Sequence, residues 1–87
     1  MASEDDFKAA AERVKSLTKR PSNDELLQLY ALFKQASEGD VSGKKPSRLK
    51  LKERAKFEAW EKKKGTSKDA ARDAYVALVD RLEQSYK

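Results

Sequence analysis

Apolar residues recur at three- and four-residue spacing along nearly the whole chain, interrupted only by Pro21, Pro46, Gly39, Gly43 and Gly65. That period belongs to helices, and the breakers divide the chain into four of them. The first has Ser3 as N-cap with Asp6 three residues on, then Phe7, Ala10, Ala11, Val14 and Leu17, and ends at Lys19, Arg20 and Pro21. Ser22 and Glu25 form a second capping box ahead of Leu26, Leu27, Leu29, Tyr30, Leu32, Phe33 and Ala36; Gly39 stops that run. Asp40 to Ser47 is a turn-rich connection, long enough to cross the body rather than close a tight hairpin. Leu49 and Leu51 alternate with lysine as a short strand would, but Ala55, Phe57, Ala59 and Trp60 predict a third helix over Leu51 to Lys64. Gly65 is its expected C-terminal cap, with Lys62 to Lys64 at the negative end of the helix dipole. Thr66 and Asp69 are expected to cap the fourth, which sets Ala71, Ala74, Tyr75, Leu78, Val79 and Leu82 on one face. The expectation is an all-α four-helix bundle in a single domain, residues 1–87.

The second helix carries more apolar surface than a core needs. With Leu26 at zero, Leu32, Ala36, Leu29, Phe33, Tyr30 and Leu27 fall at roughly 240, 280, 300, 340, 40 and 100°, an arc about 220° wide. Lys34 lies inside it, at roughly 80°. Either Lys34 snorkels to water along its neighbours, or the half-arc of Leu27, Tyr30 and Lys34 lines something both greasy and anionic. Lys15 sits similarly at the edge of the Phe7, Ala11 and Val14 stripe. Tyr75 falls within an apolar stripe with its hydroxyl reaching outward, and Phe57 and Trp60 read as core or groove wall.

Composition narrows the chemistry. The 87 residues are 38% hydrophobic and 40% charged, with no cysteine and no histidine, which removes the thiol nucleophile, the commonest general base and the best soft metal ligands. No phosphate-loop, dinucleotide, HExxH or GxSxG motif is present, so an enzyme is not expected and no metal is implied. No run approaches the roughly 18 apolar residues of a membrane span, and the N-terminus is acidic where a signal peptide is basic; the cytoplasm is the expected compartment. The net charge of +5 is uneven: Lys44 to Lys56 carries +6 and everything else −1. That stretch is either a solvated loop and helix edge or the footprint of an anionic partner. Nucleic acid is not the expected one, because the aromatic residues lie at helical spacing and no helix is basic around its exposed face. A partner helix docked on the wide apolar arc is the remaining alternative.

Three runs carry a resemblance. PSNDELLQLYALFKQASEGD (Pro21 to Asp40), AKFEAW (Ala55 to Trp60) and KGTSKDA (Lys64 to Ala70) resemble the second helix, the third helix and the start of the fourth helix of the acyl-CoA-binding protein family. The resemblance spans nearly the whole chain. It implies an up-down-down-up four-helix bundle whose surface groove cradles one long-chain acyl-CoA, carrying and buffering the ester without reacting with it. It makes Lys34 and Lys56 the cations on the ribose 3′-phosphate, with the Tyr30 hydroxyl as a further donor, and brings Lys15 to the nucleotide. Phe33 takes the place of an aromatic that flanks adenine; Ala11 and Leu26 wall the site, Lys52 lies near the ligand, and Tyr75 contacts it from the last helix. Ala31 and Leu32, within the Tyr30 to Lys34 run, complete the implied ligand-binding set. Phe33 stands where many members have tyrosine, Phe57 where tryptophan is frequent, Leu26 where methionine is frequent, and Ser47 where glycine is common. The implied partner is long-chain fatty acyl-CoA, bound by a monomer with no cofactor and at most passing contact with membranes or with enzymes that use the ester.

Overall fold

The computed structural model describes residues 2–86, which form α1 (Glu4–Lys15), α2 (Asn23–Glu38), α3 (Leu51–Glu61) and α4 (Lys68–Ser85), with no strand among the described residues. Two of the three predicted capping boxes are present. The Ser3 hydroxyl accepts from the Asp6 N–H while the Asp6 carboxylate accepts from the Ser3 N–H, and Ser22 and Glu25 do the same for α2. Each box satisfies two backbone donors that the first helical turn leaves without partners. Gly39 closes α2 at φ 83°, a left-handed value that a side chain would oppose.

Three predicted boundaries differ. The first helix stops at Lys15 with Ser16 as its C-cap, short of the expected end at Lys19 to Pro21, and Leu17 follows it. The third helix ends at Glu61, and Lys62 to Lys64 follow as tight i to i+3 turns, with Lys63 N–H on the Trp60 carbonyl and Lys64 N–H on that of Glu61. The cause is Asp40, whose carboxylate takes the Gly65 N–H and turns the chain away from the helix axis. The cap of α4 is Ser67, whose hydroxyl accepts from Ala70 N–H, and not Thr66. Thr66 belongs to the preceding turn: its N–H reaches Lys63 and its carbonyl accepts from the Gln35 amide.

The cross-links between helices define the topology. Ala2 bonds Asp73, Arg13 bonds Asp80 at 2.6 Å, and the Thr18 hydroxyl reaches the Tyr86 carbonyl at 2.8 Å, so α1 runs parallel to α4. Tyr86, beyond the end of α4, donates to Glu25 at the start of α2, so α4 opposes α2. Trp60, near the end of α3, donates to Gln35 and to the Gly39 carbonyl near the end of α2, so α3 runs alongside α2 in the same direction. The bundle is therefore up-down-down-up. Its parallel pair needs the long connection after Gly39, because a tight turn can only reverse a helix.

The core lies between α2 and α4. Leu29, Leu32 and Ala36 meet Ala71, Tyr75, Leu78, Val79 and Leu82, and α1 adds Phe7 and Ala10. Ala74, at the edge of the predicted stripe, is exposed, because α4 buries the narrower arc through Ala71, Tyr75 and Leu78. α1 packs along α4, while its Cα atoms come nowhere within 8 Å of those of α2. Only side chains bridge that gap.

Among the described residues one polar side chain, that of Gln35, is buried completely. Gln35 gives both amide hydrogens, to the Asp40 carboxylate at 2.8 Å and the Thr66 carbonyl at 2.7 Å, and its oxygen accepts from Trp60 Nε1 at 3.1 Å. A buried amide is tolerated only when satisfied in this way. Replacing Gln35 with alanine is expected to leave the Thr66 carbonyl without its partner and open a small cavity, costing about 2–3 kcal/mol and lowering Tm by about 10 °C, read by urea titration and thermal melts.

Three carboxyls are held below their ordinary range: Asp40 chiefly by the Gly65 N–H, Asp6 by the Ser3 N–H and Glu25 by the Tyr86 hydroxyl. A depressed folded pKa contributes stability that is complete above the unfolded value and disappears as pH falls through the folded one. Urea midpoints measured as a function of pH are therefore expected to hold near neutrality and decline below about pH 4. Asp40→Asn, less stable at neutrality, is expected to show a shallower decline.

Candidate functional site

A cleft of about 860 Å³ opens between α1 and α2, where the two backbones stand apart. Its floor is aromatic. Phe7 stacks on Phe33 at 5.2 Å between ring centroids, and Tyr75 meets the edges of both, at 5.1 Å from Phe7 and 5.9 Å from Phe33. The three come from α1, α2 and α4, so the floor is a place where side chains tie α1 to α2. Tyr75 is buried, and that burial pushes its phenol pKa up. Phe33 is 40% exposed, which leaves part of its ring facing the cleft.

The rim is polar and mostly cationic: Lys8 and Lys15 on α1, Lys68 and Arg72 on α4, against Glu4 and Glu12. Lys15 is exposed and pairs with Glu12 at 3.4 Å, and Ala11 lies one turn before it on the same wall. Arg72 reaches Asp69 at 3.6 Å, while its Nε is buried with no hydrogen-bond partner in the protein. Such an orphaned donor is costly in a folded protein.

Beside the cleft, on the α2–α3 face, two lysines rest on two rings. Lys56 Nζ stands 5.4 Å from the centre of the Tyr30 ring, and Lys34 Nζ 5.2 Å from that of Trp60. Tyr30 and Lys34 are four apart on α2, as Lys56 and Trp60 are on α3. Because the helices run in the same direction, Tyr30 lies level with Lys56 and Lys34 with Trp60. Each lysine is thus held within cation–π range by the aromatic residue of the other helix. Lys34 also bonds Glu38, which raises its pKa and outweighs the opposing effect of burial, so the ammonium is charged at neutral pH. With a side chain 27% exposed, Lys34 snorkels, and its head stays beside aromatic surface.

Of the eleven residues expected at the site, Ala11, Lys15, Phe33 and Tyr75 line the cleft, and Tyr30, Lys34 and Lys56 meet on the adjoining face. Phe33 and Lys34 are neighbours on α2, so the two groups are continuous. Lys52 is exposed one turn before Lys56, and Leu26 is half-buried against the core. Ala31 and Leu32 are buried and line no cavity described here. Leu27 lines a smaller groove of about 370 Å³ with Ala55 and Ala59. The rim residues Lys8, Lys68 and Arg72 were absent from the expected set, although Lys68, Arg72 and Tyr75 share one face of α4 at helical spacing. Among the described residues no cluster of acids could hold a metal ion.

The arrangement defines a class: a small helical bundle with an aromatic-floored, cation-rimmed cleft suited to a ligand that is anionic at one end and apolar at the other. Comparison with known proteins narrows it. The sequence pattern of the family described as "Acyl CoA binding protein" matches residues 4–79. The chain is 61% identical over 80 residues to the acyl-CoA-binding protein homolog of Drosophila melanogaster, covering 92% of this chain and 93% of that protein. It is 55% identical over 80 residues to acyl-CoA-binding protein homolog 1 of Caenorhabditis elegans, with the same coverage. The crystal structure of Oryza sativa acyl-CoA-binding protein 2 superposes with a TM-score of 0.90 at 36% identity, covering 94% of this chain and 91% of that one. This chain belongs to the acyl-CoA-binding protein family.

Trp60 is the only tryptophan, and Lys34 stands over its ring. Lys34→Met is therefore expected to change the intrinsic emission while costing no more than about 1 kcal/mol of stability. Lys15→Met, remote from that ring, is expected to leave the emission unaltered. Fluorescence spectra with circular dichroism as the folding control check both.

Proposed function

We propose that this chain, acting as one domain over residues 1–87, binds long-chain acyl-CoA esters and buffers and carries them in the cytoplasm without catalysing a reaction on them. The observation that carries the proposal is the crossed pair of lysines: Lys34 held on Trp60 and Lys56 on Tyr30, on one α2–α3 face, next to a cleft with an aromatic floor. In this reading Lys34 and Lys56 grip the ribose 3′-phosphate of the coenzyme, with the Tyr30 hydroxyl as a further donor. Lys15 meets the nucleotide from α1, Phe33 flanks the adenine, and Tyr75 and Ala11 close the wall. Lys52 lies along the path of the ligand, while Leu26, Ala31 and Leu32 support the α2 wall from within. The acyl chain follows apolar surface away from these charges.

The energetics require both halves of such a ligand. A charge-assisted hydrogen bond from lysine to phosphate is worth about 1.5–3 kcal/mol, and each methylene removed from water about 0.8 kcal/mol. A chain of about fourteen methylenes offers roughly 11 kcal/mol before ordering costs, so neither free coenzyme nor free fatty acid exploits the whole site. Absence of histidine and cysteine supports a carrier over a thioesterase, since the usual general base and thiol nucleophile are missing.

Titration calorimetry tests the reading. Affinity is expected to rise steeply from acetyl-CoA to palmitoyl-CoA, and equal affinity for the two would refute the apolar half. Lys34→Ala and Lys56→Ala are each expected to weaken palmitoyl-CoA binding by about 1.5–3 kcal/mol with the fold unchanged. Against 3′-dephospho-palmitoyl-CoA the same substitutions are expected to cost almost nothing. A full loss against that analogue would remove the lysines from the phosphate site.

A further inference from the structure

The connection between α2 and α3 presents two leucines to solvent. Leu49 is 93% exposed and Leu51 73%, and with Phe33 they are the exposed large hydrophobic residues of the described chain. Phe33 has the cleft to face. The leucines have no such explanation, and singly exposed leucines on a surface would need none. These two lie two residues apart, amid exposed Lys44, Arg48, Lys50 and Lys52, with Glu53 the only acid between Lys44 and Lys56.

The base of this connection is pinned. Arg54 donates to the Pro46 carbonyl at 3.1 Å, and Lys45 pairs with Glu58 at 3.5 Å and Glu61 at 3.4 Å. Those contacts engage Glu58 and Glu61 of α3 with Lys45, so Glu53 is the acid left beside the tip. They leave Arg48 to Leu51 projecting, with the Lys50 N–H closing a turn onto the Ser47 carbonyl at 3.0 Å. The tip is thus anchored at its base, with apolar side chains exposed on it and guanidinium and ammonium groups beside them.

We propose that Leu49 and Leu51, framed by Lys44, Arg48 and Lys50, form a docking tip for the surface of an anionic lipid membrane. Charge complementarity selects this occupant. Phosphate-rich headgroups meet the cations while the upper acyl region receives the two leucines, and a bilayer interface offers both within about 5–10 Å of depth. A nucleic acid backbone would answer the cations and leave the leucines in water. With two apolar side chains and a few charges, attachment is reversible and salt-sensitive. The tip leads directly into α3, which carries Lys52 and Lys56, so docking holds the proposed ligand-binding face close to the bilayer.

Cosedimentation of the full chain with vesicles tests this. Binding is expected to vesicles of phosphatidylcholine mixed with phosphatidylserine, to be far weaker to phosphatidylcholine alone, and to fall as salt rises. Leu49→Ser with Leu51→Ser is expected to lower partitioning about ten-fold. Arg48→Gln and Lys50→Gln are each expected to lower it about five-fold. All variants are expected to keep wild-type helicity and wild-type affinity for palmitoyl-CoA. No vesicle binding by the wild-type chain, or equal binding with and without phosphatidylserine, would overturn the proposal. A leucine variant that loses palmitoyl-CoA affinity and retains vesicle binding would overturn it too, assigning the leucines to the acyl chain. If the chain bound no acyl-CoA at all, the vesicle measurements would still decide the question alone.

Discussion

The geometry of this bundle rests on one buried amide. Gln35 engages the loop after α2, the indole of α3 and the backbone leading into α4 at once, and no apolar side chain of similar size could specify all three. Two helices running in the same direction are not brought together by a short turn, so something must set their relative height. Gln35 does that from α2, and Asp40 repeats it by joining both Gln35 and Gly65. The hydrophobic core alone would permit α3 to slide along α2, because apolar contact is non-directional. Hydrogen bonds in a buried, fully satisfied network do not permit it.

The face proposed to hold the ligand follows from that register. Because α3 is held level with α2, Lys56 lands on Tyr30 and Lys34 on Trp60. A shift of one helical turn would put each ammonium opposite the wrong side chain and disperse the positive charge. The aromatic rings hold the lysines in position without neutralising them, which an acid would do. Glu38 is the one carboxylate bonded to Lys34, and it lies on the same helix, one turn away, where an incoming anion can compete with it. The positive field is therefore concentrated beside the cleft in the unliganded protein.

Much of this was legible in the sequence, and the reasons are local. The capping boxes at Ser3 and Ser22, and Gly39 as the stop of α2, are short-range patterns whose chemistry sits within four residues. Lys34 stood out because a cation interrupted an apolar arc too wide for the core alone. Two of the misplaced boundaries, at Lys62 to Lys64 and at Thr66, trace to Gln35 and Asp40, residues distant in sequence that capture backbone groups of the turn. Long-range capture leaves no periodic signal. Leu49 and Leu51 were ambiguous for a similar reason: alternation with lysine fits a strand, and only the pinned loop turns it into an exposed tip. The cationic rim from Lys8, Lys68 and Arg72 required knowing that α1 and α4 run side by side.

The gap between the backbones of α1 and α2 leaves an open seam there, floored by the rings of Phe7, Phe33 and Tyr75. Any occupant of the seam stabilises the folded state by mass action, in proportion to the logarithm of its free concentration over its dissociation constant. Resistance of this chain to proteases, which attack transiently opened molecules, would then follow the supply of the occupant. A cell that ran short of it would clear the empty protein faster, so the amount of protein would follow the amount of its occupant without any dedicated sensor.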